Sequence, residues 1–184
     1  LQMQTLFRNP LAGPYVLGIT SGASLGVALF ILGAPLLRLA ATSITTFGIA
    51  GAAWIGSALI LMVIATVGAR IKDIMVVLIL GMMFSSGVGA VVQVLQYLSH
   101  EEALKTFVVW TMGALGDVTD RQLAIFVPAI VVGLIVGVLV IKPLNLLLLG
   151  EQYARTMGIN LRRSRLLIFL STTLLAGTVT AFCG

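Results

Sequence analysis

Few side chains in this sequence could carry a reaction, and their spacing limits what they can do. The 184 residues hold one histidine, one cysteine and six carboxylates. His100 stands in a polar stretch without the further ligands a metal site needs. Cys183 lies in an apolar run and reads as a small core hydrophobe, and a lone cysteine excludes a disulfide framework. The polar residues that do form a pattern are uncharged. Gly81, Ser85, Gly89 and Gln93 recur every four residues, with Ser86 and Gln96 beside them, which places them on one face of a helix. Two glutamines in an apolar helix are costly against lipid unless they meet partners or water. The stripe therefore either hydrogen-bonds to a neighbouring helix or lines a path, and a path without formal charge suits cargo that must not be held tightly.

A second pattern lies between Leu149 and Asn160, the longest stretch without an apolar run. Gly150 opens a short helix, Glu151 places a carboxylate in its first turn, and Gly158 supplies the left-handed residue that stops it. Arg162, Arg163 and Arg165 follow directly. A helix this short cannot stand alone in water, because nucleation costs more than so few hydrogen bonds return. It must dock. Tyr153 and Met157 share a face at i, i+4, and the small Ala154 offers a point of close approach. The segment is either an ordinary membrane-surface helix or a knob for a partner's groove, with Ala154 expected to sit against that partner.

The elements that must position these two patterns are membrane helices. Mean hydropathy is +1.14, and 59% of residues are apolar against 9% charged, whereas charged residues make up about a quarter of a soluble domain. A net charge of +5 raises the question of nucleic acid, but the basic residues never form a patch interleaved with aromatics. Charge-free intervals long enough to cross about 30 Å of hydrocarbon predict five spans, at about 14–37, 44–69, 74–98, 122–141 and 166–184. Backbone groups in lipid must be satisfied within the segment, so the spans are helices and the fold is an all-α polytopic bundle. The amphipathic segment from Ser99 to Arg121 is expected to lie at the interface with Trp110 at headgroup depth. No signal peptide is present and both ends look cut, as in an internal piece of a longer membrane protein.

Basic residues in short loops set the orientation. Arg8, Arg70, Lys72, Lys142, Arg155, Arg162, Arg163 and Arg165 fall on one side, which is thereby predicted to be cytoplasmic together with the 142–165 loop. The other side keeps Arg38, Lys105 and Arg121 beside four carboxylates, Glu101, Glu102, Asp117 and Asp120. Within the spans, small residues recur at i, i+4, i+8: Gly18, Gly22, Gly26; Gly48, Ala52, Gly56; Ala129, Gly133, Gly137. Such ladders let helix backbones approach closely, so they read as packing seams rather than substrate contacts.

Four stretches carry a family resemblance. Leu146 to Glu151, with Ala154 and Met157-Gly158, resembles the cytoplasmic coupling loop of the iron-siderophore, haem and cobalamin class of ABC importer permeases. Arg8-Asn9-Pro10-Leu11-Ala12, with Pro14, Leu17-Gly18 and Ser21-Gly22-Ala23, resembles the turn and helix start after that family's second span. Trp110 to Leu115 is similar to its Trp-x-x-Gly-Ser-Leu segment, with Ala114 in place of Ser, and Leu144 to Leu147 matches the lead-in to the coupling loop. The resemblance implies a single permease domain over residues 1–184, running from the end of span two through span seven of a ten-span subunit. It also implies a bacterial inner-membrane location, a second permease subunit across a central path, cytoplasmic ATP-binding subunits and a periplasmic binding protein. Leu149, Gly150, Glu151, Ala154, Arg155, Met157 and Gly158 would couple to the ATPase, and Ser85, Gly89, Gln93 and Gln96 would line the path. No resident cofactor or metal is implied. ATP chemistry would belong to the partner, since no Gly-x-x-x-x-Gly-Lys-Ser/Thr loop occurs here.

Two other classes compete. An ion-coupled secondary transporter usually carries an ionisable residue within a span, and none of the five has one. An intramembrane enzyme would need a nucleophile and base, or a metal cluster, at membrane depth.

Overall fold

The computed structural model describes residues 1–33, 46–68, 71, 73–113 and 118–184. The described residues form helices and their connections, with no strand among them. In chain order the helices are α1 (Gln2–Phe7), a 3-10 turn (Pro14–Leu17), α2 (Ile19–Ile31), α3 (Thr46–Gly68) and α4 (Ile74–Leu98). These are followed by α5 (Glu101–Met112), α6 (Asp120–Leu139), α7 (Ile141–Leu148), α8 (Glu151–Thr156) and α9 (Leu161–Cys183). Arg38, Arg70, Lys72, Asp117 and Ala114-Leu115 lie outside the described residues, as do the ends of the first two expected spans at 34–37 and 44–45.

Among the described residues, four helices are long and apolar enough to cross a membrane: Gly48–Val67, Ile74–Leu98, Asp120–Leu139 and Leu161–Cys183. The first expected span, 14–37, needs correction at its start. Pro14 fixes a 3-10 turn, Gly18 then adopts a left-handed conformation (φ 71°), and the helix begins only at Ile19. Its 13 described residues rise about 20 Å, short of a full crossing. Two other boundaries shift. The expected span 122–141 begins at Asp120 and ends at Leu139, with a break at Val140 before α7. The last begins five residues earlier than 166, at Leu161, so Arg162, Arg163 and Arg165 belong to the helix itself.

Local chemistry explains the helix starts. The Asp73 side chain accepts the Met75 amide at 2.9 Å, and the Asn160 side chain accepts the Arg163 amide at 3.2 Å, each satisfying one orphan donor of a first turn. At α6, the Gln122 side-chain oxygen reaches back to the Thr119 amide at 2.9 Å.

Packing follows the small residues. A Cβ added at Gly26 would fall on the Ala52 carbonyl, and one added at Gly56 on the Gly22 carbonyl. Gly22 and Gly26 of α2 and Ala52 and Gly56 of α3 thus form one seam, backbone against backbone. Gly81 on α4 meets the Val16 carbonyl in the same way. Gly133 on α6 receives the Leu175 side chain of α9, while Gly137 lies against Gln2 and Ser171. Gly18 faces Ser85 and Ile60. Phe7 packs on Phe169 with centroids 6.5 Å apart, and at the other end Phe182 sits edge-on to both Trp54 and Phe126.

A polar clamp joins three helices. Ser171, fully buried, donates to the Gly133 carbonyl at 3.0 Å and accepts from the Gln2 amide nitrogen at 3.3 Å. The Thr172 hydroxyl donates to the other end of the same Gln2 amide at 3.1 Å. Such groups are stable in an apolar interior only when paired with one another.

The amphipathic segment becomes α5. Phe107 is buried and Trp110 half-buried against the cluster formed by α2 and α3. The expected surface helix is therefore tucked under one face, with its acidic first turn, Glu101 and Glu102, exposed.

Candidate functional site

The stretch between α7 and α9 is built by its two glycines. Gly150 has φ 120° and ψ 150°, a backbone that side chains with a Cβ rarely adopt. A Cβ there would also lie 3.2 Å from an Arg8 guanidinium nitrogen. The Ala154 amide donates to the Gly150 carbonyl at 2.9 Å, closing the first turn of α8. At the far end the Gly158 amide bonds the Arg155 carbonyl (3.0 Å) and the Ile159 amide bonds the Ala154 carbonyl (3.1 Å), with Gly158 at φ 80°. That pairing is a Schellman stop, so Gly158 ends the helix as expected. The 142–165 loop thereby resolves into the end region α7, the short α8, and the first turn of α9.

Ala154 requires a correction. It is wholly buried within its own chain, in the cluster that includes Leu147 and Leu161. Its small side chain lets α8 press onto the bundle, so the close approach is internal and Ala154 does not present itself to a partner. The outward face is Gln152, Tyr153, Arg155, Thr156 and Met157, with Leu149 exposed just before it. The Met157 amide bonds the Tyr153 carbonyl at 3.1 Å just past the end of α8 at Thr156, and both side chains are exposed. Arg8 and Asp73 flank this face: with Gly150, Tyr153 and Thr156 they line a groove of about 780 Å³. The residue-8 turn, the start of α4 and α8 share one end of the bundle.

The α4 stripe divides into two parts. Gly81 is buried against the 3-10 turn, and the Ser85 hydroxyl donates to the Gly81 carbonyl at 2.9 Å beside Gly18. Ser86 donates to the Met82 carbonyl at 3.1 Å and is exposed. Further along, Gly89 would meet nothing within 4 Å if it carried a Cβ, and Gln93 is exposed. Gln96 is half-buried, and its backbone carbonyl accepts the Ser99 hydroxyl at 2.9 Å. The structure therefore brings Ser85 together with the packing glycine Gly18 and leaves Gly89 and Gln93 on an open face. Sequence reasoning missed the Gln2–Ser171–Thr172 clamp, since nothing in the spacing links positions 169 or 170 apart. Among the described residues no group of three or more His, Cys, Asp or Glu could hold a metal.

A bundle of membrane-length helices carrying a short, outward-facing helix at one end defines a multi-pass membrane protein. Comparison with known proteins gives the family. The whole chain, residues 1–184, matches the FecCD transport family, and it belongs to that family. It is 36% identical to the hemin transport system permease protein HmuU of Yersinia pestis, over 99% of this chain and 54% of that protein. The molybdate import system permease protein MolB of Haemophilus influenzae is 33% identical over 95% of this chain and 50% of its own length. The vitamin B12 import system permease protein BtuC of Klebsiella pneumoniae is 32% identical over 99% and 53%. A solved structure described as an inward-facing metal-chelate type ABC transporter superposes with a TM-score of 0.83 at 29% identity, covering 100% of this chain and 56% of that one. The chain thus spans about half the length of the relatives it matches.

Proposed function

We propose that this chain forms half of the membrane-spanning subunit of an ATP-binding-cassette importer, with α8 as its coupling helix. The observation that carries the reading is the construction of α8. Two glycines in restricted conformations bracket it, Ala154 pins its inner side to the core, and Tyr153, Arg155 and Met157 are left facing outward. A helix of six residues held this way moves with the bundle rather than independently, as a part that transmits force must. Arg8 and Asp73 extend the same surface. The concentration of basic residues at this end supports a cytoplasmic position for it, where ATP-binding subunits would dock, with hydrolysis confined to them.

On this reading the open half of the α4 stripe, Gly89 and Gln93 with Gln96 beside them, faces a path shared with a second permease subunit. A periplasmic binding protein would deliver cargo from the opposite side. The relatives' names span hemin, iron citrate, vitamin B12 and molybdate, so the cargo class is wider than iron complexes and cobalamin alone. The relative named for hemin is 36% identical to this chain over 54% of its own length, which supports a haem or a related iron chelate as the cargo. The test is chemical cross-linking: cysteine at Tyr153 or Met157 should join the ATP-binding subunit, whereas cysteine at Tyr97, exposed at the far end of α4, should not. Equal labelling of all three by the ATPase would refute the assignment of α8. Binding of haem, a ferric siderophore, cobalamin and molybdate by the partner binding protein would then select the cargo.

A further inference from the structure

A second groove lies beside the coupling helix, between the end of α3, the start of α4 and the start of α9. It encloses about 1100 Å³. Its mouth is basic, formed by Arg155, Arg162, Arg163 and Arg165, with no carboxylate among its described lining residues. Its walls are apolar, including Met62, Ala65, Val67, Leu166 and Phe169. These walls belong to helices of membrane-crossing length, and Arg162, Arg163 and Arg165 stand at the start of α9, with Arg155 on α8.

The placement of the arginines is itself unfavourable. Arg162 and Arg163 occupy the first turn of α9, where the helix dipole is positive and carboxylates are preferred. Asn160 accepts the Arg163 amide, but its neutral side chain offsets none of the guanidinium charge. An anion seated at this mouth would relieve the repulsion, and guanidinium forks match phosphate oxygens. An amphipathic groove with a basic rim at the membrane surface fits a ligand with a phosphate head and hydrocarbon tails.

We infer that this groove holds the phosphate headgroup of an anionic phospholipid of the cytoplasmic leaflet, with its acyl chains along Met62, Ala65 and Leu166. The inference rests on the membrane-spanning bundle and its charges, not on the cargo or on ATPase docking. Arg162 and Arg163 hold the head and the apolar walls hold the tails, so both halves of the ligand are required.

The permease, assembled as its intact complex, is placed in nanodiscs of phosphatidylglycerol or phosphatidylcholine, delipidated with mild detergent, and its retained lipid measured by native mass spectrometry. Phosphatidylglycerol should be retained over phosphatidylcholine. The paired change Arg162→Gln/Arg163→Gln should lower that retention about tenfold or more, while Arg162→Lys/Arg163→Lys, which keeps the charge, should keep much of it. The same change at Arg121 alone, at the other end of the bundle, should have no effect. Equal retention of the two lipids, or full retention by the glutamine pair, overturns the inference. Displacement by millimolar inorganic phosphate would also overturn it, by assigning the mouth to a soluble anion. So would a glutamine pair that keeps its lipid but loses the ATP-binding subunit, which would assign the arginines to that partner.

Discussion

Small residues at the same helical spacing do opposite things in two parts of this molecule. Along α2 and α3, Gly22, Gly26 and Gly56 are spent on contact, each backbone lying against the carbonyls of the other helix. Along the outer half of α4, a Cβ added at Gly89 would meet nothing within 4 Å, and the neighbouring Gln93 projects outward. The i, i+4 pattern alone does not separate a seam from an open face. What separates them is whether a second ladder exists to fill the first. α2 has a partner ladder in α3. The stripe on α4 has one only at Gly81 and Ser85, where Gly18 and the 3-10 turn close over it.

That contrast can be broken, or sharpened, by adding atoms. Gly56→Val should have the largest effect, since its side chain would fall on the rigid backbone of Gly22. Overpacking of this kind costs about 1–3 kcal/mol, and backbone cannot yield cheaply. The yield of folded protein in detergent and its unfolding midpoint should both drop. A wild-type midpoint for Gly56→Val would mean that the α2–α3 seam is not as close as described.

Ala154→Leu comes next. Ala154 is buried, so the larger side chain should lift α8 from the bundle and impair coupling through displacement, at a cost of about 1–2 kcal/mol. Proteolysis within 149–160 should accelerate while the membrane helices remain intact; an unchanged rate would indicate that α8 is seated by other contacts.

Gly158→Val isolates backbone strain from crowding, because no atom lies within 4 Å of the added Cβ yet φ is 80°. The expected cost is about 1–2 kcal/mol, again confined to α8, read as faster hydrogen exchange at Met157 to Ile159. Gly89→Ala should have the smallest effect and the opposite sign: an open helical site gains up to about 1 kcal/mol of helix propensity. Gln93→Leu, in the same region, should leave the midpoint near wild type and lower transport. Normal uptake by that variant would return the open half of the stripe to packing or lipid contact.

Much of this was legible in the chain. The charge-free intervals gave the membrane helices because lipid permits little else for a backbone of that length. Gly150 and Gly158 marked the ends of α8 correctly, since a left-handed stop leaves a direct sequence trace. Ala154 was placed on the wrong side of α8 because a small residue signals close approach without saying to what. The short start of α2 was hidden for a related reason. Residues 14–18 are apolar enough for a span, and only the geometry of Pro14 and Gly18 shows the turn. The clamp among Gln2, Ser171 and Thr172 left no trace at all, because its members sit in different helices and look like ordinary polar substitutions in apolar runs.

That clamp also orders events in time. Gln2 lies 169 positions before Ser171, so during synthesis α1 is made long before its hydrogen-bond partners exist. Its amide must be satisfied meanwhile by water or by the insertion machinery. α1 can therefore settle onto the bundle only after α9 has entered, so a segment made well before α9 takes its final place after it.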